Sequence, residues 1–187
     1  MMRKSFWALL LLPLLSGCFP FVATGVGAGA LLAADRRTSG AYLEDEEIEV
    51  KASGRISDEF KDKAHVNVTS YNRSVLLTGE VPSAAAKQRV EQIARSVENV
   101  RAIDDELGIM APSSLGSRSS DAYITTKVKG RFLDSKTFPA NVVKVITERG
   151  VVYLMGIVSH QEGNAAADIA SRTDGVLKVI TLFEYTD

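Results

Sequence analysis

Apolar positions along this chain change their period twice, and the same series of periods then runs a second time. Ile48, Ala52 and Ile56 recur one helical turn apart, as do Ile124, Val128 and Phe132, so each set predicts a helix with one buried stripe. Alternation follows. Val66, Val68 and Ser70, then Val75, Leu77 and Gly79, fall on one side of two strands joined by a polar turn at Tyr71 to Ser74. In the second copy Val143, Val145, Val152 and Leu154 do the same across Glu148 to Gly150. A second helix is expected near Ser83 to Val97 and near Gln161 to Thr173, and a closing strand over Val100 to Leu107 and Val176 to Tyr185. A shift of 76 or 77 residues superimposes the apolar positions of one copy on those of the other, from Ile48 over Ile124 to Ile103 over Val179.

Each copy therefore reads α-β-β-α-β. A strand, a helix and another strand imply a right-handed crossover with parallel pairing, whereas the preceding hairpin is antiparallel. The expected fold class is α+β, with two tandem domains at residues 44–108 and 120–187. Each has a three-stranded mixed sheet and both helices on one face. Residues 109–119, with Pro112, Gly116 among neighbouring serines and no periodicity, read as a linker.

The first residues follow a different logic. Arg3 and Lys4 precede an apolar run from Phe6 to Leu15 that is too short to span a bilayer, so residues 1–17 read as a secretion signal. Leu15-Ser16-Gly17-Cys18 resembles a bacterial lipobox, and Cys18 is the chain's one cysteine. That resemblance implies a covalent diacylglycerol and an N-acyl lipid on Cys18 and no other cofactor. Each buried acyl methylene contributes roughly 0.8 kcal/mol, so several chains anchor stably where one would not. Phe19 and Pro20 put no acidic residue behind the cysteine, as in lipoproteins sorted to the outer membrane. Residues 18–43 read as a lipidated N-terminus and flexible tether.

Composition narrows the chemistry. Without Arg3 and Lys4 the net charge moves from −1 to −3, which argues against a nucleic-acid partner. His65 and His160 have no second histidine or cysteine at ligand spacing, so no metal site is expected. Gly25, Gly27 and Gly29 precede any strand, which removes the context a phosphate loop needs. No serine stands in a nucleophile setting with a histidine and an acid. Catalytic residues are expected to be absent.

The opening Asp and Ile of each first helix, the Val-x-Val strand, the hairpin ending Val-x-Leu-x-Gly-x-Val, and the Ala-rich helix before Val-x-x-Val together resemble the BON domain. Two stretches, Asp121-Ala122-Tyr123-Ile124-Thr125-Thr126-Lys127-Val128 and Ala165-Ala166-Ala167-Asp168-Ile169-Ala170-Ser171-Arg172, are similar to the dual-BON outer-membrane lipoproteins in particular. The resemblance implies a periplasm-facing lipoprotein that binds anionic phospholipid and supports envelope integrity. It also implies association with the outer-membrane protein assembly machinery and the division site. One departure is Tyr123, where such proteins often carry tryptophan.

Charge divides the two copies. Glu44 to Glu59 carries a net −5, whereas Ser120 to Ser135 carries +1. An anionic bilayer is expected to repel the first helix and to tolerate or attract the second, at about 1 kcal/mol per basic residue near the surface. With Ile124, Val128 and Phe132 facing the sheet, Tyr123, Gly130 and Leu133 face outward. Lys127, Lys129 and Arg131 lie around them, and these six form the candidate phospholipid-binding site. The alternative is an adaptor that binds protein partners. For it, Val151, Tyr153 and Met155 make an apolar face on the side of the second sheet away from its helices. That face is expected to be buried against the first domain rather than offered to a partner.

Cys18→Ala is expected to abolish acylation and to release the protein from the outer-membrane fraction, as membrane fractionation with a metabolic lipid label would show. Retention at parental levels would refute the anchor.

Overall fold

The computed structural model describes residues 35–187. Residues 1–34, which hold the expected signal, Cys18 and the glycines of the tether, lie outside the described residues.

Helix α1 (Ser39–Phe60) opens the first domain, and strands β1 (His65–Tyr71) and β2 (Ser74–Val81) form an antiparallel hairpin. Helix α2 (Ala84–Arg95) crosses over to β3 (Ala102–Asp105) and β4 (Gly108–Ile109), both parallel to β2. Ser74 pairs with Ala102 and Glu80 with Gly108, the same offset, so β3 and β4 are one closing strand interrupted at Glu106 and Leu107. The second domain repeats the order with α3 (Leu115–Ser135), β5 (Val143–Glu148), β6 (Val151–Val158), α4 (His160–Ser171) and an unbroken β7 (Lys178–Tyr185). Both sheets are mixed, with the second hairpin strand in the centre.

Two expected boundaries move, each for a visible reason. The tether was expected through residue 43, but α1 begins at Ser39 because the Thr38 hydroxyl accepts the Ala41 N–H and Ala41 is buried. The linker was expected through residue 119, but Ser114 caps α3 through the Ser117 N–H, leaving residues 110–114 between β4 and the helix. Serine also caps α2 and α4, the latter as a capping box between Ser159 and Glu162.

The stripes pack as their spacing predicts. Ile48, Ala52 and Ile56 meet Val75, Leu77, Val90 and Ala94 in one core. Ile124, Val128 and Phe132 meet Val152, Leu154, Ala166 and Ala170 in the other. The glycine of the Val-x-Leu-x-Gly-x-Val pattern has a steric cause: a Cβ on Gly79 would stand 2.0 Å from the His65 carbonyl oxygen, and one on Gly156 2.5 Å from that of Val142.

The opening Asp of each repeat holds the helix to the hairpin. Asp45 is buried and accepts from the Ser70 hydroxyl at 2.7 Å and from the backbone N–H groups of Asn72 and Arg73 at 2.8 and 2.7 Å. Asp121 accepts from Arg149 and Gly150 N–H at 2.9 and 2.8 Å. All four turn residues have positive φ, the two-residue hairpin geometry whose amides point outward together.

The helix-free faces of the two sheets pack on each other. Tyr71 and Leu76 of the first domain join Tyr153 and Met155 of the second in a third apolar cluster, flanked by Ile146, Val151, Ile180 and Leu182. Polar contacts rim it: Lys144 donates to Glu49 at 2.7 Å and to the Ser70 carbonyl at 3.2 Å, Asn72 donates to Glu184 at 2.9 Å, and Arg101 pairs with Glu184.

Asp45→Ala would leave the Asn72 and Arg73 amides and the Ser70 hydroxyl without their acceptor. It is expected to lower stability by about 3 kcal/mol, and Asp121→Ala by about 2 kcal/mol, in denaturant unfolding. Equal, negligible losses would contradict the holding role.

Candidate functional site

Helix α3 presents its core stripe to the β5–β7 sheet and the opposite face to solvent. Tyr123 is 65% exposed and Leu133 69%, about 15 Å apart along the axis. Between them Gly130 is open: beyond its own stretch of helix backbone, a Cβ there would meet none of the described residues within 4 Å. The face extends further than the sequence suggested. Leu115, 82% exposed, lies eighteen residues before Leu133, five full helical turns, and so on the same line. The sequence had placed Leu115 in the linker, and its apolar side chain next to the Ser114 cap was the available signal.

The basic residues divide into two groups. The Lys127 ammonium donates to the Asp174 carbonyl and stands 4.9 Å from the centre of the Tyr123 ring. Arg131 donates to the Arg172 carbonyl and the Thr173 hydroxyl. Both reach the carbonyl-rich end of α4, where a cation is electrostatically favoured. They brace α3 against α4 and carry positive charge beside the outward face. Lys129 lies on the other flank, in a groove between the domains that Leu133, Tyr42, Tyr71 and Lys144 also line. Of the six sequence-derived residues, Tyr123, Gly130 and Leu133 thus form the open face and the three cations its edges.

The rival surface is closed. Tyr153 and Met155 retain 5% and 1% exposure and Val151 is half-buried, all covered by the first domain. The outward face of α1 carries Leu43 and Val50, exposed among Glu46 and Glu47.

A second cluster could not be read from the sequence, because its members lie at positions 65, 80 and 148. His65, Glu80 and Glu148 bring one ligand-type atom each within 4.8 Å of one another, at the seam between the domains. Burial pushes the Glu148 carboxyl up, and burial lowers His65.

A model of the BON domain matches residues 44–110 and 120–187. The chain belongs to the BON-domain family. This BON protein is 39% identical over 175 residues to outer membrane lipoprotein DolP of Haemophilus influenzae, covering 92% of this chain and 91% of the relative. It is 35% identical to a 21 kDa hemolysin of Actinobacillus pleuropneumoniae, over 81% of this chain and 79% of that protein. It is 29% identical to osmotically-inducible protein Y of Escherichia coli, over 83% and 80% respectively. Among the described residues, no helix is long and apolar enough to cross a membrane.

The segment entering α1 is fastened to the second domain. Arg36 makes a two-pronged pair with Glu162 at 2.7 Å on each prong and donates to the Ile157 carbonyl at 2.9 Å. The Arg36 hydrogen bonds, together with those from the Ser159 cap, hold the Glu162 carboxyl down at about 2. A carboxyl depressed on folding stabilises above its unfolded value near 4.5, and that contribution is lost as pH falls towards about 2. Arg36→Ala is expected to remove about 2 kcal/mol at pH 7, allowing for partial exposure, and much less at pH 2. Urea titrations at both pH values would check it, and an equal loss at both would contradict the pairing.

Proposed function

We propose that this BON protein is an outer-membrane lipoprotein facing the periplasm, acylated on Cys18, that docks on anionic phospholipid through the outward face of α3 and supports envelope integrity. The observation that carries the docking is the uncovered outward face of α3, with Leu115 and Leu133 on one line and Tyr123 about a quarter-turn aside, Gly130 open between Tyr123 and Leu133, and Lys127, Lys129 and Arg131 alongside. Tyrosine suits the headgroup boundary, since its ring is apolar and its hydroxyl stays hydrated. An open glycine lets the helix backbone approach the lipid surface, and the flanking cations favour anionic headgroups. The name of the Haemophilus relative, outer membrane lipoprotein, supports the location. No part of this role calls for a catalytic residue. The adaptor reading, with the assembly machinery or the division site as destination, had relied on the face at Val151, Tyr153 and Met155, and those residues are occupied by the first domain.

Tyr123→Ser with Leu133→Ser removes two exposed side chains and leaves Ile124, Val128 and Phe132 in place. The double variant is expected to unfold within about 1 kcal/mol of the parent, since exposed residues contribute little to stability. Its binding to phosphatidylglycerol vesicles, measured by co-sedimentation, is expected to fall at least tenfold, with parental binding to phosphatidylcholine vesicles already weak. Unchanged affinity for the anionic vesicles would move the docking surface off α3.

A further inference from the structure

The seam between the domains gathers an unusual set of groups. His65 opens β1, and its cross-strand partner on β2 is Glu80, which is fully buried. Glu148 ends β5 in the other domain and is also buried. Their ligand-type atoms lie within 4.8 Å of one another, and two of the three are carboxylates brought from different domains. Like charges this close in a partly dry setting repel strongly unless a cation stands between them.

The protein's own neutralisation is incomplete. Glu80 accepts from the Ser113 N–H at 2.9 Å and meets Arg149 at 3.4 Å, a long contact from a side chain that is half-exposed. Glu148 accepts from Asn67, a neutral amide, at 2.9 Å. Arg118 lies nearby on α3 and is engaged with the hydroxyl and carbonyl oxygens of Ser113. Asp121, on the same helix, adds negative charge and holds the Arg149–Gly150 turn. A further sign is Thr78. It stands across from Asn67 and two residues from Glu80, on the same face of β2, buried with no hydrogen-bond partner for its hydroxyl among the described residues. Such an orphan commonly marks an ordered water or ion.

We propose that His65, Glu80 and Glu148 form a divalent-cation site, suited to zinc, that pins the two BON domains together. One imidazole nitrogen and two carboxylates are a donor set that zinc accepts, with water completing a tetrahedron. Ligands of a tetrahedral zinc stand about 3.3 Å apart, so the three side chains close in by about 1.5 Å, a distance that torsions of Glu and His supply. The ion would replace the weak Arg149 contact and satisfy both carboxylates at once. Because its ligands come from both domains, binding would favour the packed arrangement over any separated one. The site is independent of lipid docking, which uses the opposite side of α3.

The test uses the full-length chain, purified in detergent, stripped with chelator and titrated with zinc chloride by calorimetry, with metal content measured after dialysis. One zinc per chain is expected, with a zinc-dependent rise in unfolding temperature. His65→Asn and Glu148→Gln are each expected to weaken binding at least about tenfold. His160→Asn, at a surface histidine paired with Asp187, is expected to bind as the parent does. His65 is only half-buried, so its variant decides the matter even if Glu148→Gln unfolds. The proposal is overturned if the parent holds no stoichiometric zinc, or if the His65 and Glu148 variants bind as tightly as the parent. It is also overturned if zinc leaves the parent's unfolding temperature unchanged while Glu148→Gln raises it without metal, because the carboxylates then share a proton instead.

Discussion

A three-stranded sheet has two faces, and in each half of this chain both helices cover the same one. The uncovered face of the second sheet is apolar, with Val151, Tyr153, Met155, Ile180 and Leu182 along its central and closing strands. Water is a poor neighbour for such a surface, and burying it contributes roughly 25 cal/mol for each Å² removed from solvent. The first domain supplies the cover. Much else follows from that contact: which faces stay open to solvent, where the polar rim forms, and why residues from different repeats meet at the seam.

The two contacting faces are not alike. Leu76 and Tyr71 meet the apolar strip of the second domain, while the far end of the first sheet carries His65, Asn67, Thr78 and Glu80. The contact is consequently dry at one end and polar at the other, and the polar end holds the two buried glutamates. Divergence between the repeats is thus spread over two surfaces. On α1 and α3 it sets opposite charge on the outward faces, and on the sheets it fits one module to the other.

Periodicity made the fold legible, because helix stripes and strand alternation report directly on which side chains are buried. The residues expected on one side of the first hairpin do lie together there, Val66 opposite Gly79, Val68 opposite Leu77 and Ser70 opposite Val75. The repeat supplied a second, independent copy of each signal. What escaped were features set by geometry across long separations. The role of Asp45 and Asp121 depends on a turn whose amides converge, and the meeting of His65 with Glu148 depends on how two domains pack. Short-range misses were of another kind: Thr38 and Ser114 are polar residues in polar stretches, and only the buried Ala41 and the exposed Leu115 betray the helices they start. At the candidate site, angle arithmetic found the outward residues Tyr123, Gly130 and Leu133. It could not show that Lys127 and Arg131 reach the end of α4.

Residues 110–114 are the whole connection between β4 and α3. A chain that short keeps each half at a high effective concentration for the other, so an association that would otherwise depend on dilution becomes part of folding. In symmetry terms the protein is a fused dimer of one module. Two separate identical copies would have to present the same patch to each other and could not specialise their outer helices without both changing together. Fusion removes that constraint, and the acidic α1 beside the basic-flanked α3 is the asymmetry that a covalently joined pair is free to acquire.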